Sequence, residues 1–351
     1  MLTDMESLGS VQKKISCVFE TGVLDEPSTK RDNQSYKVVA KETIKQRALD
    51  NDVMNAIATE KLDGTCVYIA QFEGKPWLWA RFDKKPNKGA ERRFKKFQYQ
   101  QKERKSCEES KETLKFHWDL VKDFKDTPQY WIPASHVEIV AGSPVPDDIG
   151  HTPGWVPISP GARQYCWHLS AVDLNNNLAL VLSESDTGDE LILSCVHLSD
   201  LEGHTAELIG TNINGNPYGL GSKKFPIHLL VIHGTIKVRN PPDINISSVK
   251  DWFKNTGHVE GIVWHCTNRT LFKVHRNHVT LSWPVDNPSL SRLPVRISTN
   301  ISCDLDTDTL LINQLIRLNG HVCDSLTQLE QLLCAEGTIT DICANGQSSV
   351  S

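Results

Sequence analysis

The stretch ATEKLDGTCVYIA, residues 58–70, predicts both a fold element and a chemistry for this chain of 351 residues. Within and just beyond it, TCVYIAQF (65–72) alternates apolar and polar residues as a half-buried strand does. PWLWARF (76–82) repeats this alternation after the turn residues 73–75, Glu-Gly-Lys. We therefore predict a β-hairpin directly after the lysine of this stretch.

Lys61 stands two residues before Asp63 and three before Gly64, at the entry to that hairpin. A lysine that is partly removed from water and lies beside other cations has a lowered pKa, which makes its amine nucleophilic. A neighbouring glycine lets a ligand approach the backbone. The pattern favours a lysine that attacks phosphorus, although the tetrapeptide K-x-D-G is also typical of a solvated surface lysine.

The composition is that of a soluble globular protein, with 39% hydrophobic and 23% charged residues. No apolar run is long enough to span a membrane, and the N-terminal MLTDMESLGSVQKK is too charged for a signal peptide. We therefore expect no membrane association and a cytoplasmic location, with the nucleus left open as a second compartment.

Cysteine and histidine spacing argues against a transition-metal site. The ten cysteines form no CxxC pair, so neither a disulfide framework nor a zinc ribbon is predicted. The histidines from His151 to His233 form no HxxxH or HxH pair beside a carboxylate cluster. We interpret these histidines as structural.

The remaining pattern predicts a mixed α+β chain. Frequent Pro and Gly from about residue 126 onward favour short strands joined by turns. Two further hairpins are predicted, from 178–182 with 190–196 and from 257–265 with 269–275. Helices are predicted over 43–57, 309–318 and 326–334, and Ser247 or Ser248 is expected to cap a helix through Lys254.

Charge is distributed unevenly along the chain. Residues 297–351 contain one base and seven acids, whereas residues 81–105 contain eleven bases, three acids and interleaved aromatics. The basic run suits a polyanion, and a solvated helix face with an apolar stripe is the open alternative. We predict one domain over residues 1–290 and an acidic C-terminal segment over 291–351 that is partly helical or disordered.

Five separated motifs resemble those of the covalent nucleotidyltransferases, the superfamily of nucleic-acid ligases and capping enzymes. In chain order they are Lys61-x-Asp63-Gly64, Arg81 on the following strand, Glu207 in ELIGTNINGNPYG, Glu260 in EGIVW and Lys273 in LFKVH. More narrowly, the chain from LGSVQKK (8–14) to LSWP (281–284) resembles the animal 5′-to-3′ RNA ligase family, RNA ligase 1. Its distinctive blocks are WIPA (131–134), NPYGLGSKK (216–224) and EGIVWHC (260–266).

The resemblance implies an α+β adenylyltransferase fold over residues 1–290, an ATP-grasp-like nucleic-acid ligase domain with two antiparallel sheets flanked by helices. It implies that Lys61 takes AMP from ATP, that AMP passes to the 5′-phosphate of RNA, and that a 3′-hydroxyl displaces it. RNA with these two ends is the expected partner, and we expect a monomer. The alternatives are a noncatalytic RNA-binding protein with this fold and a sister DNA ligase or capping enzyme.

The resemblance also implies the residues of the site. Catalysis falls to Lys61 as the nucleophile, with Arg81 and Lys273 countering phosphate charge. Nucleotide contacts fall to Glu60, Lys61, Asp63, Gly64, Arg81, Glu207, Glu260 and Lys273. Glu260 and Glu207 are the expected ligands of Mg²⁺, for which Mn²⁺ can substitute.

Three assignments within this site stay open. Glu138 in HVEIVAG also resembles the third motif, although the GTNINGNPYG that follows favours Glu207. His275 stands where the superfamily commonly has a second lysine. The aromatic that stacks on adenine is one of Trp167, His168 and His233.

Overall fold

The computed structural model describes residues 8, 10–27, 36–106, 115–299 and 310–335. The chain divides into two compact units. The first takes its described residues from Met1–Val11, Ile15–Leu78 and Ile158–Ser351, and the second from Gln12–Lys14 and Trp79–Pro157.

The N-terminal part of the chain is mostly β-structure. Its elements are β1 (Ser16–Cys17), β2 (Phe19–Leu24), β3 (Lys37–Ile44), α1 (Gln46–Asp50), β4 (Ile57–Lys61), β5 (Thr65–Phe72) and β6 (Lys75–Arg81). The hairpin of β5 and β6 is confirmed, and its turn residues Glu73 and Gly74 both have positive φ. The helix predicted over 43–57 is wrong in extent, because β3 runs to Ile44 and the left-handed Asp52 follows α1 closely.

The second unit contains one long helix and short strands. They are α2 (Lys88–Ser106), β7 (Ile132–Pro133), β8 (Ile139–Val140), β9 (Ser143–Pro144) and β10 (Gly154–Pro157). β10 pairs antiparallel with β7 and with the end of β6, and β8 pairs with β9.

Helix α2 carries the basic run that the sequence singled out. Asn87 caps it, because its Oδ1 accepts the Ala90 N–H at 3.0 Å. The rings of Phe94 and Phe97 both pack on Phe116, with centroid distances of 5.2 and 5.3 Å. These two aromatics therefore form the apolar stripe of a helix and are not displayed for stacking on bases.

The rest of the chain returns to the first unit. Its elements are α3 (Cys166–Leu169), β11 (Val172–Asp173), β12 (Leu178–Glu184), β13 (Leu191–His197), β14 (Thr205–Gly210), β15 (His228–Ile232), α4 (Ile246–Asn255), β16 (Gly261–His265), β17 (Leu271–His275), α5 (Ser289–Arg292), β18 (Val295–Ile297), α6 (Leu310–Arg317), β19 (Val322–Cys323) and a last helix over residues 329–335. The antiparallel pairs β12–β13 and β16–β17 confirm the two remaining hairpins, and α6 and the last helix confirm the C-terminal helices.

Helix α4 begins earlier than the sequence suggested. Asn245 is its N-cap, with Oδ1 accepting the Ser248 N–H at 2.8 Å. The predicted cap at Ser247 or Ser248 is therefore wrong. The helix starts at Ile246, so its first free N–H groups lie within reach of Asn245. Asn is as good a capping residue as Ser.

Two larger sheets organise the described part of the first unit. The smaller has the strand order β1–β17–β16–β4, and the larger runs β19–β18–β13–β12–β15–β14–β5 with β11 on β12. The pairs β1–β17, β12–β15 and β13–β18 are parallel, so the expected purely antiparallel sheets are corrected to mixed sheets. These partners are joined by long connections, which permit parallel pairing, whereas tight turns do not. The mixed α and β composition with several sheets agrees with the predicted α+β class.

The described residues after 290 share the hydrophobic core of the larger sheet. Leu311, Leu315 and Leu329 belong to the same buried cluster as Leu180 of β12 and Leu193 of β13. β18 also extends the sheet by pairing with β13. Residues on both sides of the predicted division at residue 290 therefore belong to one core. The prediction relied on acidic residues, which lie on the surface, whereas packing depends on the apolar residues between them.

Replacing Leu315 by alanine tests this packing. Leu315 is 1% exposed in the core, so Leu315→Ala is expected to lower the free energy of unfolding by about 2–5 kcal/mol in urea titrations. Val322→Ala, in the same segment but 48% exposed, is the control and is expected to change it by less than about 0.5 kcal/mol. Equal effects would contradict a shared core.

Candidate active site

Lys61 is the last residue of β4 and lies opposite Gly261 of the neighbouring strand β16. Glu260 directly precedes that glycine and is only 1% exposed. The Lys61 Nζ donates a hydrogen bond to Glu260 Oε2 and lies 3.3 Å from the Leu62 carbonyl oxygen. The pairing of two strands thus brings together an amine and a carboxylate that are 199 positions apart in the chain.

Gly261 is required by the close approach of the third strand in this sheet. A Cβ at this position would lie 2.3 Å from the Val274 carbonyl oxygen and 2.9 Å from the His275 Cα of β17. A larger residue would push β17 away or displace β16. The glycine of the E-G motif therefore fixes where Glu260 stands relative to Lys61.

Glu207 lies on β14 and is held against the turn that follows Lys61. Its Oε1 accepts the Gly64 N–H at 3.0 Å. A Cβ on Gly64 would lie 2.4 Å from the Leu208 carbonyl oxygen, which also belongs to β14. The expectation that Gly64 makes room for a ligand is corrected, since the space beside it is filled by the neighbouring strand.

Asp63 anchors the same turn through three hydrogen bonds. Its Oδ1 accepts from Asn214 Nδ2 at 2.9 Å, its Oδ2 accepts from Trp283 Nε1 at 2.7 Å, and its backbone N–H donates to the Tyr218 hydroxyl at 2.8 Å. No role was predicted for these three partners. All three nevertheless lie in stretches that resemble the RNA ligase family, Asn214 and Tyr218 in NGNPYG and Trp283 in LSWP.

The electrostatic surroundings of Lys61 differ from the expectation. Burial alone would lower the pKa of its amine, but Glu260, Glu207 and Asp63 outweigh burial and raise the pKa above its ordinary value. Cations were expected beside this lysine, but carboxylates surround it. In the free protein the amine is therefore protonated at neutral pH and must lose a proton before it can act as a nucleophile.

Glu60, the residue before Lys61, has the opposite character. Burial, followed by the charge of Glu184, raises the pKa of its carboxyl to about 8. Its Oε1 is buried and has no hydrogen-bond partner. At neutral pH it is mostly an uncharged carboxyl group, which can donate as well as accept a hydrogen bond.

Replacing Glu260 by glutamine tests the source of the raised pKa. Burial lowers the pKa of Lys61 and the neighbouring carboxylates raise it. Glu260→Gln removes one of these carboxylate charges and is therefore expected to lower the pKa. The pKa is read from the pH dependence of Lys61 acetylation by limiting acetic anhydride, followed by mass spectrometry. Glu42→Gln, on an exposed position of β3, is the control and should leave it unchanged. An unchanged pKa in Glu260→Gln would contradict the assignment.

Lys273 shares a sheet face with Lys61. Phe272 and Val274, its neighbours on β17, are buried in the core, so Lys273 projects from the opposite face, as the alternation of a strand requires. His275 lies in register with Gly261, which lies in register with Lys61. Since Lys273 is two residues from His275, the two lysines stand on one face, with Cα atoms about 12 Å apart across β16.

Arg81 lies in the second unit, where three contacts fix its guanidinium. Its Nε donates to Asp83 Oδ1 at 2.7 Å and its Nη1 donates to the Gln12 carbonyl oxygen at 2.9 Å. The guanidinium carbon lies 4.9 Å from the centre of the Trp155 ring. Glu138 also belongs to the second unit and is exposed, whereas Glu207 contacts the Lys61 turn directly.

The three candidate adenine-stacking rings have different surroundings. Trp167 stacks on His228 with centroids 5.0 Å apart. His168 is buried, neither of its ring nitrogens has a hydrogen-bond partner, and burial lowers its pKa to about 4. His233 donates from Nε2 to Glu207 Oε2 at 2.9 Å, so it is the candidate that contacts a predicted site residue.

The two predicted metal ligands differ in how well they suit Mg²⁺. Glu260 offers a buried carboxylate, the hard oxygen donor that Mg²⁺ prefers. Both oxygens of Glu207 already accept hydrogen bonds, and a thiol and an imidazole lie beside it. The donors therefore fit Mg²⁺ at Glu260 better than at Glu207.

Comparison with known proteins shows which family the chain is similar to. The family model described as RNA ligase 1 matches residues 5–332. RNA ligase 1 of Mus musculus is 48% identical over 334 residues, covering 93% of this chain and 99% of the mouse protein. RNA ligase 1 of Danio rerio is 49% identical over 301 residues, covering 85% of this chain and 90% of the fish protein.

Strand pairing brings two of the predicted site residues, Lys61 and Glu260, into contact beside the Asp63–Gly64 turn. The chain belongs to the RNA ligase 1 family, which confirms the resemblance read from its sequence. Within the described residues, no helix combines the length and apolar character needed to cross a membrane.

Proposed function

We propose that this protein is an ATP-dependent RNA ligase with an adenylyltransferase fold, joining 5′-phosphate and 3′-hydroxyl ends through AMP on Lys61. Relatives that match nearly the whole chain bear the name RNA ligase. The observation that carries the proposal is the partly buried Lys61 amine in contact with Glu260, with Glu207 and Asp63 acting on the same charge. This placement, in the lysine motif of a chain that belongs to the RNA ligase 1 family, supports covalent catalysis by the amine.

In the first step the Lys61 Nζ attacks the α-phosphorus of ATP, a P–N bond forms, and the bond to pyrophosphate breaks. The attack requires the amine lone pair, so the proton of the charged amine must leave first. Glu260 Oε2 is in direct contact with Nζ and positions the amine, while its charge favours the protonated form. Cations that arrive with ATP offset this carboxylate charge and so favour loss of the proton to water.

In the second step an oxygen of the RNA 5′-phosphate attacks the phosphorus of the bound AMP, and the amine leaves and regains a proton. In the third step the 3′-hydroxyl attacks the 5′-phosphorus, the new phosphodiester forms, and AMP leaves. All three steps are transfers at phosphorus, in which alignment and charge compensation supply most of the catalysis.

Charge compensation falls to the cations of the site. Lys273 stands on the same sheet face as Lys61 and suits a nonbridging phosphate oxygen. Arg81 is assigned the same task by its motif. Mg²⁺, or Mn²⁺ in its place, would be held by Glu260 and would neutralise phosphate charge when bound.

The nucleoside half of ATP falls to the residues around the turn. Glu207 is fixed by the Gly64 N–H and offers its carboxylate to a ribose hydroxyl. Asp63 and Gly64 act indirectly, because their hydrogen bonds hold the turn and Glu207 in place. Glu60 is the remaining proposed contact and offers a mostly neutral carboxyl group.

Self-labelling tests the chemistry directly. After incubation with Mg²⁺ and ATP radiolabelled at its α-phosphate, the protein is expected to carry acid-stable AMP on Lys61, located by mass spectrometry. Lys61→Arg should abolish labelling, because the guanidinium keeps its proton. Lys75→Arg, at the exposed start of β6, is the control and should be labelled like the wild type.

The alternatives give different outcomes in the same assay. Labelling by GTP would indicate a capping enzyme, and joining of DNA ends in preference to RNA would indicate a DNA ligase. A protein that is never labelled and joins no RNA would be a noncatalytic binder. Normal RNA joining by Glu260→Ala and Lys273→Ala would mean that the site is misplaced.

We propose that α2 binds the RNA backbone. Lys88, Arg92, Lys95 and Lys96 are exposed along this helix, while Phe94 and Phe97 face its packing partner. Positions three and four apart lie on one side of a helix, so these bases form a continuous positive stripe. Tyr99, 63% exposed on the next turn, offers a ring for stacking on a base.

Salt dependence measures these contacts. The double variant Arg92→Gln/Lys96→Gln is expected to bind single-stranded RNA more weakly, because it loses counterion release at two phosphates. The slope of log K against log salt should become less steep by about 0.7 for each lost contact. Lys75→Gln/Lys254→Gln removes the same charge from exposed positions of the first unit and is the matched control. An equal change of slope in both variants would argue against α2.

A further inference from the structure

Three metal-binding side chains converge beside the Lys61 turn. Cys66 on β5 lies in register with Glu207 on β14, and His233 directly follows β15, the next strand of the sheet. The Cys66 Sγ, a Glu207 carboxylate oxygen and a His233 ring nitrogen all lie within 4.8 Å of one another. Among the residues that the structure describes, these three form a group with the separation that a metal ion requires.

The donor types select a class of metal. A thiolate, an imidazole and a carboxylate are the ligands of Zn²⁺, whereas Mg²⁺ takes oxygen donors. Tetrahedral ligands of Zn²⁺ lie about 3.5 Å apart, and the three donor atoms here all lie within 4.8 Å of one another. Three protein ligands leave the fourth position for water or a substrate group.

Other contacts hold two of these ligands in place. His233 Nδ1 lies 2.9 Å from Thr205 Oγ1, which also accepts the Val11 N–H at 2.7 Å. Glu207 Oε1 is held by the Gly64 N–H. Such outer partners fix the orientation of ligands at metal sites, and here they leave His233 Nε2 and Glu207 Oε2 directed at each other. A divalent ion would replace the proton that these two atoms share.

We propose that Cys66, Glu207 and His233 bind Zn²⁺, at a site distinct from the Mg²⁺ contact at Glu260. The effect of this Zn²⁺ site on ATP binding rests on the proposed function. A Zn²⁺ ion on Glu207 takes the carboxylate oxygen intended for the ribose, so Zn²⁺ and ATP compete. No local sequence pattern marks this site, because its ligands lie on β5, on β14 and just after β15, and only the sheet brings them together.

Cobalt substitution tests the site without any catalysis. Co²⁺ is added to the full-length protein, and a thiolate-to-metal charge-transfer band in the near ultraviolet is expected, which Zn²⁺ then removes by displacement. Cys66→Ser should lose the band. Cys166→Ser, which removes an exposed thiol, is the control and should keep it. A wild-type protein without the band, or a Cys66→Ser protein that retains it, would overturn the proposal.

A second variant tests the site independently, in case Cys66→Ser does not fold. His233→Gln keeps the thiol but removes the imidazole, and its affinity for Zn²⁺ is expected to fall by at least about tenfold. Circular dichroism of each variant reports whether it is folded. Unchanged affinity in a folded His233→Gln protein would overturn the site.

The link to ATP is measured separately. With free Zn²⁺ buffered at ten times its Kd, competition predicts an about elevenfold rise in the ATP concentration for half-maximal labelling of Lys61. The rise should disappear in Cys66→Ser, with its own Zn²⁺-free labelling as baseline. An equal rise in both proteins would overturn the competition. A cobalt band in a protein that ATP never labels would refute the proposed function and leave the metal site standing.

Discussion

The contact between the Lys61 amine and the Glu260 carboxylate is the constraint on which the site depends. Removing an ion pair from water is costly, and the pair is tolerated only where its geometry is well fixed. The structure fixes it by pairing β4 with β16, by the glycine at position 261 that lets β17 approach, and by the hydrogen bonds that hold Asp63. The catalytic features of the family motifs are therefore also features of packing.

The excess of carboxylates around Lys61 gives the site a definite electrostatic character. Without a bound nucleotide it stabilises a protonated amine, and it opposes an anionic substrate unless cations accompany that substrate. This explains why Lys273, on the same sheet face as Lys61, and a divalent ion belong to the same proposal. One of these carboxylates, Glu207, also lies beside Cys66 and His233. Its negative charge and the two N and S donors together favour Zn²⁺.

Charge along the chain was a poor guide to its packing. The segment after residue 290 is acidic, yet Leu311, Leu315 and Leu329 belong to the core of the larger sheet. The basic run is a helix whose phenylalanines pack inward, while Lys88, Arg92, Lys95 and Lys96 face the solvent. Charged side chains occupy surfaces in either case, so they describe what a segment can bind and not where its apolar residues lie.

The sequence by itself determined the three hairpins, the C-terminal helices, the family, and the membership of Lys61, Asp63, Gly64 and Glu260 in one motif set, because short-range alternation and motif order are local properties. Only the tertiary structure decided which groups surround the lysine, and it replaced the expected cations by carboxylates. It also decided the parallel pairs, the roles of Asn214, Tyr218 and Trp283, and the meeting of Cys66 with His233. Strand pairing joins residues that are far apart in the chain, and no local pattern records which strands will be neighbours.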